Sequence, residues 1–564
     1  MVDFRKAILL LAVLVFATGL ASAQALNCTL NGGAPPLLRA EGVAEEVGQA
    51  FIQCTGGAPT VSGAVPRINV RLFTNGYNIT SRLFTYGNTT VSEATLLIDD
   101  PTPSNQVLAT IPPAACNAPF SSACGNVWLA YPVAGNPQAI EWRDIPFDPP
   151  GTGTRTLRMV NIRVNAALAT GGNVASLIPP PVNIFISITG TLTLPITSPF
   201  LAVGYIQNGL AFSLRSYDNK STITSASLAQ CSMPSAPAFY ARFTELFPTA
   251  FRIRGDSAAQ NNLTQVYNTE SMFWGPVYAP VGATVPPGQA TQATRLRLAF
   301  TGVPTGVNIY VPSSVTSGTI QATLVAVGVD GSTADSVSSP PVAGTWLVGI
   351  TGGSGSAVYE VTTTATGSNE SFDVPVYIGY SGLPALGTGN VLGSYAPLST
   401  VDTASSTAPA PRFYQNPAAT YSFSVIACET RLLFPFLTSI PGWDTGIAIS
   451  NTTVDPFNTP AQEGSCTLYF YGTPSNSSQT SASIPAGGQL LMTLSNGNSS
   501  QNLSPLTGFT GYMIARCNFQ YAHGYAFISD LGANKFAQGY IALILGDGQL
   551  TKRFAGNASE ALNQ

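Results

Sequence analysis

PVNIFISITGTLTLPI, residues 181–196, sets Val182, Ile184, Ile186 and Ile188 at every second position up to Gly190, and Leu192, Leu194 and Ile196 continue the series. Successive side chains of an extended chain point to opposite faces, so this spacing predicts a β-strand with one buried face. The same period recurs in RINVRLF, where Ile68, Val70 and Leu72 share a face. In TRLRLAF, Leu296, Leu298 and Phe300 oppose Arg295 and Arg297. Asp330-Gly331 between β-formers reads as a hairpin turn, in preference to a calcium loop with Asp335. No long window sustains the 3.6-residue period of a helix. The nearest, RAEGVAEEVGQAF at 39–51, is broken by glycines and reads equally as a strand pair. The expected fold is all-β: antiparallel β-sandwich modules, immunoglobulin-like or jelly-roll-like, in tandem.

Composition agrees. Charged residues are 9% of the 564, against about 25% in ordinary soluble domains, and Ser, Thr, Asn and Gln supply the polarity. Hydrophobic residues at 45% suffice for packed cores and argue against disorder. The N-terminus, MVDFRKAILLLAVLVFATGLASAQA, has a basic start, an apolar run and Ala21-Ser22-Ala23, the pattern of a secretory signal over residues 1–23. Its removal takes away one acid and two bases and moves the formal charge from −4 to −5. A surface this sparsely and mildly acidic does not attract phosphate backbones, which excludes nucleic acid as a partner. Past the leader no apolar run reaches the ~18 residues of a membrane-spanning helix. The expected location is secreted, outside the cell or on its surface.

Compositional breaks divide the chain. Segment 217–236 is polar and unpatterned, and 399–420 is rich in Ser, Thr, Ala and Pro. They separate modules at 24–216, 237–398 and 421–548, with a polar tail at 549–564. Eight cysteines in an exported chain suit disulfides. Spacing proposes Cys28–Cys54 and Cys116–Cys124. Cys466 and Cys517, each on the apolar side of its strand, propose a third bridge, and Cys231 and Cys428 are left paired or free. With one histidine and no CxxC, neither a metal site nor a cofactor is expected.

Several segments carry a resemblance: PPLLRAEGVAEEVGQAFIQCTGG, ARFTELFPTAFRIR, RLRLAFTGVPTGVNIYVP, LLFPFLTSIPGWDTGIAISNTTVDPF and RCNFQYAHGYAFISDLGANKFAQGYIAL. Together they resemble a family of large secreted proteins of Acidobacteria, over most of the mature chain and most densely towards its C-terminus. The resemblance implies a bacterial, exported, multi-module β protein and carries no activity with it.

The chemistry on offer is thin. His523, in NFQYAHGYAFISD, is the only imidazole. It has three readings: architecture among packed aromatics; part of a solvent-facing row Tyr521, His523, Tyr525 that stacks on sugar rings; or a base acting with Ser529, Asp530 or Asp444. We read it as architecture. A single strand over 512–528 would be long, and Gly524 is a natural place for a bulge that flips its faces. Glycoside hydrolysis needs only two carboxylates, and Glu41, Glu45, Glu46, Asp99, Asp100, Glu270 and Asp444 are the candidates. No pair stands out. Asp444 sits in the Asp-Thr-Gly triplet of aspartic proteases, but the second copy that chemistry requires is missing from the mature chain. The expected function is therefore a non-catalytic surface, matrix or adhesion protein whose partners are other surface components, polysaccharide or further copies of itself. A glycan-binding protein using Trp443, Tyr521, His523 and Tyr525 is the alternative, and a secreted glycoside hydrolase the next.

Overall fold

The computed structural model describes residues 24–545 except 231–235, 256–267, 329–343, 366, 382, 415–420, 458 and 476–477. The expected leader (1–23) and tail, Cys231 and the expected turn at Asp330-Gly331 lie outside the described residues. Strands make up 51% of the chain and helix 4%. Among the described residues no helix is long and apolar enough to cross a membrane.

The alternating stretches become core strands. Pro181–Gly190 pairs with Arg67–Thr74 in register Ile186↔Leu72, and Ile68, Val70, Leu72, Val182, Ile184 and Ile186 are all buried. Past Gly190 the alternation does not extend the strand: only Ile196–Thr197 returns, in parallel beside Asn27–Gly32. These strands belong to a twelve-stranded sheet that Val127–Pro132 joins in the middle, since it pairs with Thr89–Ile98 on one side and Ala139–Pro146 on the other. One buried cluster is built from both halves, with Ile52, Leu96 and Leu157 from the first and Val70, Trp142 and Ile184 from the second. The stretch 39–51 contains no helix, as its glycines foretold.

The second module stacks a six-stranded sheet on a seven-stranded one around Phe243, Leu298, Tyr359, Val374 and Phe423. Its boundaries differ from the compositional ones. Leu210–Arg215 pairs with Phe239–Glu245, so it opens this module and does not close the first. The segment 217–236 holds two strands, Thr222–Ile223 and Ser225–Ala229, and the latter pairs in parallel with Tyr421–Ile426. That strand, assigned by composition to the third module, thereby completes the second; Phe423 and Val425 are its buried face, hidden in the sequence among serines and a tyrosine. Nor is 399–414 a free linker. Tyr414 N–H donates to the Glu41 carbonyl (2.7 Å), Val43 N–H donates to the Arg412 carbonyl (2.9 Å), and Ala410, Arg412 and Phe413 are fully buried. A Ser/Pro-rich composition describes the surface of this strap and misses its anchors.

The third module packs a five-stranded sheet against a four-stranded one around Leu432, Phe434, Ile449, Phe470 and Met513. The proposed bridges are present: Cys28 and Cys54 are direct cross-strand partners, as are Cys466 and Cys517, and Cys116–Cys124 closes a loop. Cys428 is disulfide-bonded as well, and no described cysteine is free. Alkylation of the native protein without reductant, read by intact mass, is expected to add no label. A labelled Cys428 would contradict this pairing.

Candidate functional site

Four of the carboxylates considered for chemistry, Glu41, Glu45, Glu46 and Glu270, are tied up in structure. Arg39 ends the strand Leu37–Arg39, and its guanidinium is fully buried. Nη1 and Nη2 form a fork on Glu270 Oε1 and Oε2 at 2.7 and 3.0 Å, and Nε donates to Glu45 Oε1 at 2.8 Å. Nη1 also donates to Thr294 Oγ1 (2.9 Å) and the Ala250 carbonyl (3.1 Å), and the group lies 4.7 Å from the centre of the Phe413 ring. Arg39 and Glu45 come from the first module, Glu270 and Thr294 from the second, and Phe413 from the strap. Around this centre, Arg82 and Arg163 hold Glu93, and Arg163 stands 3.8 Å from Glu46. Arg252 donates to the Leu37 carbonyl, and Arg412 donates to the carbonyls of Pro409 and Thr403.

Five arginines (39, 82, 163, 252 and 412) and five glutamates (41, 45, 46, 93 and 270) are thus buried at one joint. Burial penalises the charged form of each carboxyl, and the neighbours decide the outcome. Desolvation carries Glu46 up to about 8, with Arg163 too far away to reverse it. Desolvation also raises Glu41 to about 7 despite the Gly209 N–H that it accepts. Glu270 is as deeply buried and desolvation is its largest single influence, yet the Arg39 and Arg252 charges and the hydrogen bonds from Arg39 and Thr294 together hold it below the usual carboxylate range. Perturbed acids in a cleft would signal catalysis. Glu41 lines a recess of about 30 Å³, which admits a water and no sugar ring.

The remaining acids are structural too. Asp99 and Asp100 form a left-handed turn and pair with Arg155 and Arg158. Asp444 opens the strand Asp444–Asn451 and accepts from the N–H groups of Thr445 and Ser495 and from the Ser495 hydroxyl. Among the described residues no group of three or more His, Cys, Asp or Glu is placed to hold a metal.

The residues grouped as a stacking row fall differently. Residues 512–528 are not one strand. Thr510–Cys517 belongs to the five-stranded sheet and Ala522–Ser529 to the four-stranded one, and the chain crosses between them at 518–521, with Tyr521 at a φ of 52°. The faces exchange at that crossing. Cys517 and Phe519 point into the core before it, and Ala522, Gly524 and Ala526 do so after it. His523, Tyr525 and Phe527 therefore face solvent, which corrects the reading of His523 as a packed core residue. Gly524 is no bulge, since it stays in register with Ile449. A Cβ there would come within 2.5 Å of the Phe434 ring, so glycine is what lets the two sheets close. Ser529 is six residues further along an extended strand from His523, roughly 20 Å away, so the two do not converge on a catalytic pair. Trp443 precedes Asp444, whose partner is Ser529, while Tyr521 precedes Ala522 at the opposite end. The structure does not bring Trp443 and Tyr521 together; Trp443 instead meets Phe536 edge-on at 5.6 Å.

What the strand order does assemble is a trench of about 430 Å³ across the outer face of the four-stranded sheet. Its floor is Gly446 and Ala448 on Asp444–Asn451. One wall is Leu491 and Thr493 from Gln489–Thr493, and the other is Tyr525 and Phe527. The registers Leu491↔Ala448↔Tyr525 and Thr493↔Gly446↔Phe527 make the rows large–small–large and polar–small–large. Leu491, Tyr525 and Phe527 stand 48%, 46% and 43% exposed, an unusual outlay of large apolar surface on one small face. No lining residue is charged. The chain matches no protein-family model, and no curated protein is significantly similar to it. Sequence pattern missed the trench because Leu491 and Gly446 meet Tyr525 only through strand pairing. The small alternate residues of DTGIAIS, Gly446, Ala448 and Ser450, were the available sign of an open floor.

Proposed function

We propose that this is a secreted, non-catalytic protein of the bacterial surface or extracellular matrix that works by adhesion. The observation that carries this reading is the pairing of an uncharged trench with one aromatic wall and candidate carboxylates that lie in the ionic joint or in turns rather than in the trench. Exposed apolar walls over a small-residue floor suit holding a partner, and a lining without carboxylate, imidazole or thiol offers little to convert one. Disulfide-stapled sheets suit an oxidising, protease-rich exterior. The resemblance to secreted Acidobacterial proteins supports the same location, and the partners expected are other surface or matrix components.

The test is retention. Purified mature protein added to envelope preparations of the source organism is expected to sediment with them, and a Gly446→Leu variant to stay in the supernatant. Wild type that remains wholly soluble would end the adhesion reading.

A further inference from the structure

The lining of the trench carries no ionisable group apart from a tyrosine, and its walls and floor differ in kind. Tyr525 is the distinctive wall. A Cβ placed on Gly539 of the neighbouring edge strand Ala537–Ile541 would lie 1.9 Å from the Tyr525 hydroxyl oxygen and 2.5 Å from its Cζ. The phenol ring therefore lies over bare backbone, and the glycine is what admits it. A ring resting on the sheet turns its outer face to solvent, whereas a ring standing off the sheet would offer mainly its edge. Phe527 follows two residues on along the same wall, about 7 Å further by strand geometry. On the floor, a Cβ on Gly446 would meet nothing closer than the Phe527 carbonyl at 3.9 Å, so the open space above it belongs to whatever binds.

Beyond the apolar centre, the face turns polar without turning ionic. Gln489, Ser450 and His523 form the next row, and Thr493 and Asn498 close the other end. The buried arginines and glutamates among the described residues belong to the first two modules and the strap.

We propose, resting on the adhesion reading, that this trench is a glycan site and that its ligand is an uncharged polysaccharide chain. A sugar ring presents C–H groups to an aromatic face and hydroxyls at its rim, which matches apolar walls bordered by amide, hydroxyl and imidazole groups. An acidic polysaccharide would find no cation on the lining, and a basic peptide no anion. An open trench also admits a chain that continues past both ends, where an enclosed pocket would take only a terminus.

Affinity electrophoresis tests this with neutral polymers (hydroxyethylcellulose, xylan and glucomannan), with carboxymethylcellulose as the charged counterpart of the first, and with a proline-rich peptide as competitor. At least one neutral polymer is expected to retard the protein. Tyr525→Ala and Gly446→Leu should each weaken that retardation about tenfold or more, the equivalent of one lost stacking contact or a filled floor. Gly539→Ala is expected to weaken it as well, although no ligand touches that residue, because the new methyl dislodges the Tyr525 ring. Unchanged melting temperatures for Gly446→Leu would show that the fold is intact. No retardation by any of the three neutral polymers would overturn the proposal. So would stronger binding of carboxymethylcellulose than of hydroxyethylcellulose, displacement by the peptide, or equal retardation of wild type and Gly446→Leu. Envelope retention that persists without polymer binding would remove the glycan ligand while leaving adhesion in place.

Discussion

Arg39→Met is expected to lower the unfolding free energy by about 3–5 kcal/mol, the range for breaking a buried ion pair from one side. The substitution keeps much of the side-chain volume and removes the cation from between Glu45 and Glu270. Both carboxylates stay buried, and Thr294 and the Ala250 carbonyl each lose a donor. The cost comes from the groups left behind more than from the bonds themselves. Hence Arg39→Met combined with Glu270→Met is expected to be no worse than the single change, because it removes one of the stranded charges. Chemical denaturation of wild type, single and double variants measures both. A single-variant loss under about 1 kcal/mol would mean that water reaches the joint and screens it.

Stability is expected to fall as the pH rises from about 5 to about 8, the reverse of an ordinary carboxylate-rich protein. Glu46 titrates near 4.5 when unfolded and near 8 when folded, and Glu41 near 7. Between those limits the folded protein binds protons that the unfolded chain has released, so each group's contribution is complete below about 4.5 and is lost as pH climbs through its folded value. Glu93 and Glu270 act oppositely: their folded values lie below 4.5, and what they contribute is lost as the pH drops through them. The stability maximum therefore falls in the mildly acidic range, and the alkaline decline is on the order of a few kcal/mol. Denaturation midpoints at pH 5 and pH 8.5 measure it. Glu46→Gln should flatten the alkaline side, because glutamine keeps the uncharged form at every pH. A wild type more stable at pH 8.5 than at pH 5 would refute this assignment of the burial effect.

Much of the architecture was legible because sheet formation leaves a local trace. The alternation of Ile68, Val70 and Leu72, or of Leu296, Leu298 and Phe300, is set by the pleat and survives any tertiary arrangement. The bridge Cys466–Cys517 could be read for the same reason, since each cysteine sits on the inner parity of its strand, while Cys28–Cys54 was read from spacing and proves to join directly paired strands. The trench and the ionic joint are non-local. Arg39, Glu270 and Phe413 are spread over most of the chain, and no spacing rule connects them. One sign was present: Arg39, Glu41, Glu45 and Glu46 place four charges in eight residues of a chain that is 9% charged. His523 was misjudged for a related reason. Its face depends on where the chain leaves one sheet for the other, and that is decided at Tyr521 by a left-handed backbone turn that composition does not announce.

The joint also bears on how the chain is made. Ribosomal synthesis delivers Arg39 and Arg163 long before Glu270, and the strap that carries Arg412 and Phe413 arrives later still. The first module is therefore expected to complete its joint only once that later sequence is present, wherever folding takes place. The contacts that Arg39 makes to both modules predict that the two fold as one cooperative unit. A fragment that stops at the end of the first module should accordingly fail to reach a compact native state.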